Sequence, residues 1–194
     1  MSGVRTFVGI PLSEDVRSAL LDACACVRDA DRTWRGEKWV PETNLHVTLG
    51  FIGDVRPDRI DELAQAISTE LGDGHRAFSL PLDGLHVVPS PRRARMLWAA
   101  FLDPEGTCAA LASAVRRASL PFGAEPDERA YSPHVTLVRA RKPHSLSETA
   151  LEAGAGALSN GPASMSVTRF TLYSSTLNSG APVYAQLRSY TLES

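Results

Sequence analysis

The tetrapeptide H-V-T-L at residues 46–49 decides how the whole chain is interpreted, because the same four letters return at residues 134–137. Both copies lie in apolar, β-branched surroundings, N-L-H-V-T-L-G-F at 44–51 and S-P-H-V-T-L-V-R at 132–139. Such runs predict β-strands. Side chains on a strand alternate between two faces, so each histidine shares a face with the threonine two residues later. Each copy therefore presents an imidazole and a hydroxyl side by side on a rigid element.

The elements predicted around the two copies follow one pattern that is used roughly twice. The predicted strands are 5–10, 38–40, 45–52, 76–88, 95–102, 131–138, 164–174 and 182–192. The predicted helices are 13–31, one that begins at Pro57, 104–119 and 145–156. We expect Gly53 and Asp54 to close the strand of the first copy, and Gly154 and Gly156 to break the last helix. The order predicts an α+β architecture of two similar lobes, each a mostly antiparallel sheet backed by helices.

The composition is that of an ordinary globular protein, and 194 residues suffice for one large domain or two small lobes. The net charge is −2, so contact with a nucleic acid would need a local basic patch. Cys24, Cys26 and Cys108 are expected to be reduced apolar residues, which favours the cytoplasm. Residues 1–15 lack the apolar core of a signal peptide, and the apolar run 96–102 is too short for a membrane span.

If the two lobes face each other, the two copies bring two imidazoles and two hydroxyls to one cleft. His46 and His134, with ordinary pKa values near ~6.5, can share proton transfer near neutral pH, one neutral and one protonated. The hydroxyls of Thr48 and Thr136 can donate hydrogen bonds to the non-bridging oxygens of a phosphate. The set suits phosphodiester cleavage without a metal or cofactor, because it offers a base, an acid and donors for the phosphoryl charge.

The two copies have two other interpretations, structural histidines and a zinc site. A single H-x-T on a strand is usually a half-buried structural histidine, but two identical copies in separate halves are harder to explain in that way. A zinc site held by two histidines would need a third ligand, and no cysteine or carboxylate is spaced beside either copy.

The paired motifs resemble those of the two-histidine (2H) phosphoesterase superfamily, and in particular the RNA 2′,3′-cyclic phosphodiesterases, also called 2′-5′ RNA ligase-like proteins. The resemblance covers nearly the whole chain, and its segments are R-T-F-V-G-I-P-L at 5–12, K-W-V through G-D-V at 38–55, Y-S-P-H-V-T-L-V-R-A at 131–140 and L-Y-S-S-T-L at 172–177. It implies one bilobal 2H phosphoesterase domain over residues 1–194, with pseudo-symmetric lobes and a cleft between them. It also implies hydrolysis of a terminal 2′,3′-cyclic phosphate on RNA to a 2′-phosphate.

Carried over by position, the resemblance makes His46 the proton donor to the departing 3′ oxygen and His134 the base that activates water. Thr48 and Thr136 would hold the phosphate, and Arg139 occupies a position where the family often has an arginine that can reach phosphate. The residues alone support paired roles without saying which histidine has which. The same chemistry run backwards would join a cyclic end to a 5′-hydroxyl in a 2′-5′ linkage.

Several other residues have both an ordinary and a functional interpretation. Tyr131 and Trp39 could stack a base of the substrate or serve only in packing. The basic clusters at 92–95 and 139–142 are first of all solvated loops, and alternatively they could follow an RNA backbone beside the cleft. The remaining histidines are expected at the surface or in packing: His75, His86 and His144.

Two further functions keep the same site. One is a phosphodiesterase acting on a small cyclic nucleotide phosphate or a 2′-5′ oligonucleotide, and the other is a non-catalytic module that binds RNA ends. A structural or adaptor domain would leave the repeated tetrapeptide unexplained. The expected partners are RNA with 2′,3′-cyclic phosphate ends, such as tRNA fragments, or small nucleotides. We expect a monomer without a membrane partner.

Overall fold

The computed structural model describes residues 3–72, 75–125, 130–177 and 181–193. The strands within these ranges are β1 Val4–Pro11, β2 Lys38–Trp39, β3 His46–Val55, β4 Phe78–Val88, β5 Ala94–Phe101, β6 His134–His144, β7 Ser164–Val167, β8 Arg169–Thr176 and β9 Val183–Thr191. The α-helices are α1 Glu14–Ala30, α2 Ile60–Leu71, α3 Thr107–Ser119 and α4 Glu148–Leu158. None of these helices is long and apolar enough to cross a membrane.

All nine strands join one sheet in the order β7-β4-β5-β6-β3-β1-β8-β9, with β2 also beside β6. Every pairing between these strands is antiparallel. The sheet narrows at its centre, where β3 and β6 share a single pair, Val47 opposite Val135. We call β1, β3, β8 and β9 the β3 half, and β2, β4, β5, β6 and β7 the β6 half.

Each half is covered by two helices on one face. Helices α2 and α3 pack together, and α3 lies against β3, while α1 and α4 pack together and α4 lies against β4 of the other half. Helix α1 has an apolar stripe at helical spacing that is buried in this contact: Val16, Ala19, Leu20, Ala23 and Val27. The predicted α+β class, with mostly antiparallel strands backed by helices, is confirmed.

Two glycines do not interrupt their elements as predicted. Gly53 does not close the strand of the first motif, because β3 continues to Val55 through an irregularity in its pairing with β1. Gly53 has a φ of 95°, which a bulge accommodates most easily in glycine. Helix α4 is likewise unbroken at Gly154, where a Cβ would stand 2.6 Å from Val27 Cγ2. A glycine there lets α4 approach α1 closely, and this contact offsets its low helix propensity.

The predicted strand 164–174 is wrong as a single element. Its first part is β7, which pairs with β4 in the β6 half, and its second part is β8, which pairs with β1 and β9 in the β3 half. The chain therefore crosses between halves at Thr168. The second motif also differs from its predicted bounds of 131–138, since β6 begins at His134 and continues to His144. Residues 178–180 of the predicted last turn lie outside the described residues.

Candidate active site

The two motifs lie side by side on neighbouring strands. Their central valines are directly opposite each other and fully buried. Opposite residues of an antiparallel pair point to the same face, and the next residue along points to the other. His46 therefore stands beside Thr136, and Thr48 beside His134, all on the face turned away from the helices. The sequence led us to expect the motifs across a cleft from one another, whereas the single β3–β6 pair makes them neighbours.

The hydrogen bonds of His46 define its neutral tautomer. Its Nδ1 lies 2.7 Å from the main-chain oxygen of Asn44, and a carbonyl only accepts, so Nδ1 carries the hydrogen. The Nε2 atom is then free to accept, and the Thr48 hydroxyl donates to it at 3.0 Å. The amide of Asn44 donates to the Pro182 oxygen at 2.6 Å, which ties the start of β9 to this carbonyl. Sequence reasoning gave Asn44 no role, although a polar residue opens this otherwise apolar run.

His134 is held in the same way but has different neighbours. Its Nδ1 lies 2.8 Å from the Ser132 oxygen, so its Nε2 is again the atom that faces the site. The imidazole stacks on the Trp98 indole, with centroids 3.9 Å apart and an angle of 22° between the planes. Trp98 lies on β5 opposite Thr136. No sequence signal separated this tryptophan from an ordinary strand residue.

Aromatic rings surround His46 on the β3 half. Phe7 lies beside the imidazole at 4.8 Å between centroids, and Tyr184 meets it edge-on at 5.5 Å. Gly9 leaves room for the ring, because a Cβ there would lie 2.9 Å from His46 Cδ2. Phe51 lies further along β3, the strand of His46, and is 68% exposed. The ring of Phe51 is therefore an apolar surface open to solvent next to the site.

Burial lowers the pKa of both histidines below the ordinary value. For His46 the Asn44 carbonyl offsets part of this effect, and the nearby His134 lowers the pKa further. For His134 the Ser132 carbonyl raises the pKa, and the positive charge of Arg139 lowers it. Near neutral pH both imidazoles are therefore neutral. An anionic phosphate between them would raise both pKa values again, because it favours the charged form.

Arg139 lies on the exposed surface of β6 beside the site. Its Nη1 donates to the Met96 sulfur at 2.9 Å. Burial raises the pKa of Tyr184, and the charges of Arg139 and Arg5 offset part of this rise. The guanidinium thus acts on His134 of one half and on Tyr184 of the other. This position is compatible with the predicted contact to phosphate.

Tyr131 joins the two motifs through a hydrogen bond that the sequence did not suggest. Its hydroxyl donates to the main-chain oxygen of Thr48 at 3.0 Å and lies 3.5 Å from Cys108 Sγ. Burial raises the pKa of Tyr131, and it raises that of the Cys108 thiol to about 12. The tyrosine therefore fixes the segment before His134 against the strand of His46.

Trp39, considered above for base stacking, lies on the helix side of the sheet instead. Its Nε1 donates to the Trp34 oxygen at 2.8 Å, and the Arg28 guanidinium lies 5.1 Å above its ring. The three other histidines are engaged locally: His75 with the Leu71 oxygen, His86 with Asp83 and His144 with the Trp34 ring. Across the described ranges no three His, Cys, Asp or Glu side chains converge in a group that could hold a metal ion.

Comparison with known proteins follows the same two motifs. The family model of the 2′-5′ RNA ligase superfamily matches residues 13–178, which include both of them. The chain belongs to this superfamily. The match covers every strand of the β6 half and the strands β3 and β8 of the β3 half, so membership rests on more than the repeated tetrapeptide.

The similarity to individual relatives extends over nearly the full chain. This chain is 30% identical over 190 residues to an RNA 2′,3′-cyclic phosphodiesterase of Methanothermobacter thermautotrophicus, covering 97% of this chain and 99% of the relative. It is 28% identical over 186 residues to a Thermotoga maritima protein of the same name, covering 95% and 93%. The crystal structure of Escherichia coli LigT complexed with phosphate has a TM-score of 0.73 at 23% identity, with both chains fully covered. The last similarity establishes the fold.

Proposed function

We propose that the protein hydrolyses a 2′,3′-cyclic phosphate at the 3′ end of RNA and leaves a 2′-phosphate. The observation that carries the proposal is the pair of imidazoles whose Nδ1 atoms are both bound to carbonyls, so that both Nε2 atoms are left for proton transfer. The relatives in M. thermautotrophicus and T. maritima are named for this activity and are similar over nearly the whole chain. The protein is accordingly a phosphoric diester hydrolase.

The roles of the two histidines in this proposal are those that the resemblance implies. The cyclic phosphate enters with His134 beside the attacking water and His46 beside the 3′ oxygen. His134 Nε2 takes a proton from the water as its oxygen bonds to phosphorus, and the bond from phosphorus to the 3′ oxygen breaks. His46, protonated at Nε2, gives its proton to that oxygen. Water supplies the new P–OH group, so no co-reactant is needed.

The hydroxyls and the arginine stabilise the phosphoryl group in this proposal. Thr48 donates to His46 Nε2, so protonation of that nitrogen frees the hydroxyl to donate to a phosphate oxygen. Thr136 stands next to His46 by register and offers the second hydroxyl. Arg139 adds positive charge at the edge of the site. Hydroxyls and a guanidinium aimed at the developing charge contribute to the rate without moving during the reaction.

Several finer features belong to the same proposal. The chain acts as a single bilobal domain and as a monomer, with RNA fragments ending in cyclic phosphates, such as those of tRNA, as substrates. The reverse reaction, 2′-5′ ligation to a 5′-hydroxyl, uses the same groups with their proton roles exchanged. We place the enzyme in the cytoplasm, a proposal supported by Cys24, Cys26 and Cys108, which are all unpaired thiols.

The test is hydrolysis of a short RNA that ends in 2′,3′-cyclic phosphate, with EDTA present, by the wild type, His46→Ala and His134→Ala. Each substitution is expected to lower the rate by at least about 10²-fold, because general acid or base catalysis contributes that much. The product is distinguished from a 3′-phosphate by chromatography beside oligonucleotide standards that end in a 2′-phosphate and in a 3′-phosphate. His75→Ala, which removes a histidine bound to the Leu71 oxygen at the end of α2, is the matched control and keeps the wild-type rate.

Three results would contradict the proposal in different ways. No turnover by the wild type would move the function to another phosphodiester or to binding alone. Loss of the wild-type activity in EDTA would contradict the metal-independent mechanism. A kcat/KM that stays flat from acid to alkaline pH would exclude the pair of imidazoles, because one essential base and one essential acid produce a bell-shaped profile.

A further inference from the structure

The face of β6 that carries the site continues outward as a basic surface. Thr136 is opposite Trp98, and Arg139 is opposite Met96 on the same strand β5 and Lys38 on β2. Trp98 and Met96 are two residues apart on one strand, so they share a face. Opposite residues also share a face. Arg139 and Lys38 therefore lie on the surface that carries Thr136, at the point where β2 replaces β3 beside β6.

Arg141 extends this surface by two residues along β6. Its main-chain N–H is bound by Glu37, and its Nη1 stands 3.9 Å from the position of a Cβ at Gly36, so Arg141 lies beside the segment that leads into Lys38. Lys38, Arg139 and Arg141 are all exposed. We call these three residues the β6 basic strip.

The charges of the β6 basic strip are not compensated by neighbouring acids. None of the three pairs with a carboxylate anywhere in the parts of the chain that the structure describes. Glu37 is the acidic residue nearest in sequence, and its side chain is turned inward. It accepts the main-chain N–H of Arg141 at 2.7 Å and lies 3.3 Å from His144 Nε2. Other arginines of the protein do form ion pairs: Arg17, Arg35, Arg56, Arg59 and Arg117.

We propose that the β6 basic strip binds the phosphates of the nucleotides that precede the cyclic end, so that the enzyme prefers RNA ends to mononucleotides. The inference rests on the proposed function and adds the residues that hold the RNA chain before its cyclic end. A chain with a net charge of −2 attracts a polyanion only through a local patch, and this strip is such a patch leading out of the site. A cyclic mononucleotide has no further phosphate and cannot reach Lys38 or Arg141.

The experiment compares kcat/KM for adenosine 2′,3′-cyclic phosphate and for a five-nucleotide oligoadenylate with the same cyclic end. It uses the wild type, the double variant Lys38→Ala/Arg141→Ala and a charge-matched control, Arg56→Ala/Arg188→Ala. Arg56 lies in an exposed ion pair before α2, and Arg188 lines a groove between α2 and β9 on the helix side. The control therefore removes the same two charges from surfaces away from the strip. Each rate is measured at several salt concentrations.

The strip variant is expected to lower the ratio of the oligonucleotide rate to the mononucleotide rate by about tenfold, as two phosphate contacts are lost. The salt dependence for the oligonucleotide should also weaken by about 0.7 in log–log slope per lost contact. The control should keep the wild-type ratio and slope.

The possible failures can be told apart. Hydrolysis of both substrates by the wild type with no preference for the oligonucleotide would overturn the strip alone. An unchanged ratio in the strip variant, or an equal loss in the control, would do the same. No hydrolysis of either substrate by the wild type would overturn the proposed function and the strip with it.

Discussion

The two H-V-T-L motifs have the same four residues and the same local hydrogen bond, yet they lie in different surroundings. In both, Nδ1 of the histidine is held by the carbonyl two residues earlier. His46 is enclosed by Phe7 and Tyr184, and its Nε2 is engaged by a hydroxyl. His134 is stacked on one face by Trp98 and lies near the charge of Arg139.

The difference shows that a repeated motif fixes the position of a reactive group but leaves its chemistry to the neighbouring strands. In both copies the carbonyl two residues before the histidine accepts its Nδ1 hydrogen, so both acquire the same tautomer. The rings around each imidazole come from β1 and β9 on one side and from β5 on the other. Two equivalent histidines can thereby differ in the ease with which they hold a proton, as an acid and a base must.

The largest expected difference between the two histidines appears with a substrate whose leaving group needs no proton. A thiolate leaves readily without a proton, since thiols have pKa values near ~8.5. An RNA end with sulfur at the 3′ bridging position should therefore restore His46→Ala to within about tenfold of the wild type. His134→Ala should keep its loss of at least about 10²-fold, because the water still needs a base. The measurement is single-turnover hydrolysis of the oxygen and sulfur substrates.

Two outcomes of this experiment would contradict the roles assigned to the histidines. Rescue of His134→Ala in place of His46→Ala would show that the two roles are exchanged. Rescue of neither variant, with a wild type that cleaves both substrates, would mean that His46 contributes something other than a proton to the leaving group.

A second prediction concerns the space that Gly9 leaves for the His46 ring, a feature that His134 does not share. Gly9→Ala places a Cβ 2.9 Å from His46 Cδ2 and 3.2 Å from the Val47 oxygen. A main-chain atom cannot move away easily, so the ring must shift, and we expect kcat to fall about tenfold. Steady-state kinetics and a thermal melt measure the effect.

The control for this variant is Gly156→Ala, in α4, where an added Cβ meets nothing within 4 Å. It should leave kcat unchanged and stabilise the helix by up to about 1 kcal/mol. A Gly9→Ala enzyme with full activity would show that the imidazole tolerates displacement, and that the packing around His46 does not define its reactive position.

The sequence predicted the relations within each motif, and it did not predict the neighbours that other strands supply. Alternation on a strand correctly placed each threonine beside its histidine, because that relation is local. The neighbours Trp98, Tyr184 and Gly9 were missed, since strand pairing between distant segments decides them. The roles of the predicted site residues remain proposals to be tested by the variants above.

The fold shows the same division between local and distant information. Helix α1 was predicted within a residue or two because its apolar spacing is local. The run 164–174 is predicted as one strand because both parts have strand-like residues, and only the partners β4 and β1 divide it at Thr168. Gly154 is predicted to break its helix because its contact with Val27 is not visible in one segment.

A smaller effect is expected at the hydrogen bond between the motifs. Tyr131→Phe removes the donor to the Thr48 oxygen, which should cost about 1–3 kcal/mol of folding free energy for a buried carbonyl left unpaired. It should also lower kcat several-fold, since Tyr131 leads into the second motif and Thr48 belongs to the first. KM should change less, because the hydroxyl is held by the protein.

Tyr190→Phe is the matched control, because Tyr190 also donates to a main-chain oxygen, that of Ala64, at 3.0 Å and far from the motifs. Its cost in urea unfolding should be similar, with kcat unchanged. Equal effects of the two variants on kcat would reduce Tyr131 to a structural residue.

The smallest expected effect is a change in the pKa of one imidazole, which tests the surroundings of the two rings directly. The indole face of Trp98 favours the imidazolium form of His134 by about 0.5–1 kcal/mol, so Trp98→Leu should lower the pKa of His134 further. A base with a lower pKa stays deprotonated in more acid solution, and the acid limb of kcat/KM therefore moves to lower pH. The alkaline limb, which reports His46, should stay in place. Trp98→Phe, which keeps a ring for stacking, should move the acid limb less.

Phe7→Leu is the mirror variant and should move the alkaline limb while leaving the acid limb unchanged. A rise in the His134 pKa on Trp98→Leu, seen by NMR titration of its Cε1–H signal, would show that the indole acts by excluding water. The two motifs would then differ in burial alone, and not in the way each ring is held.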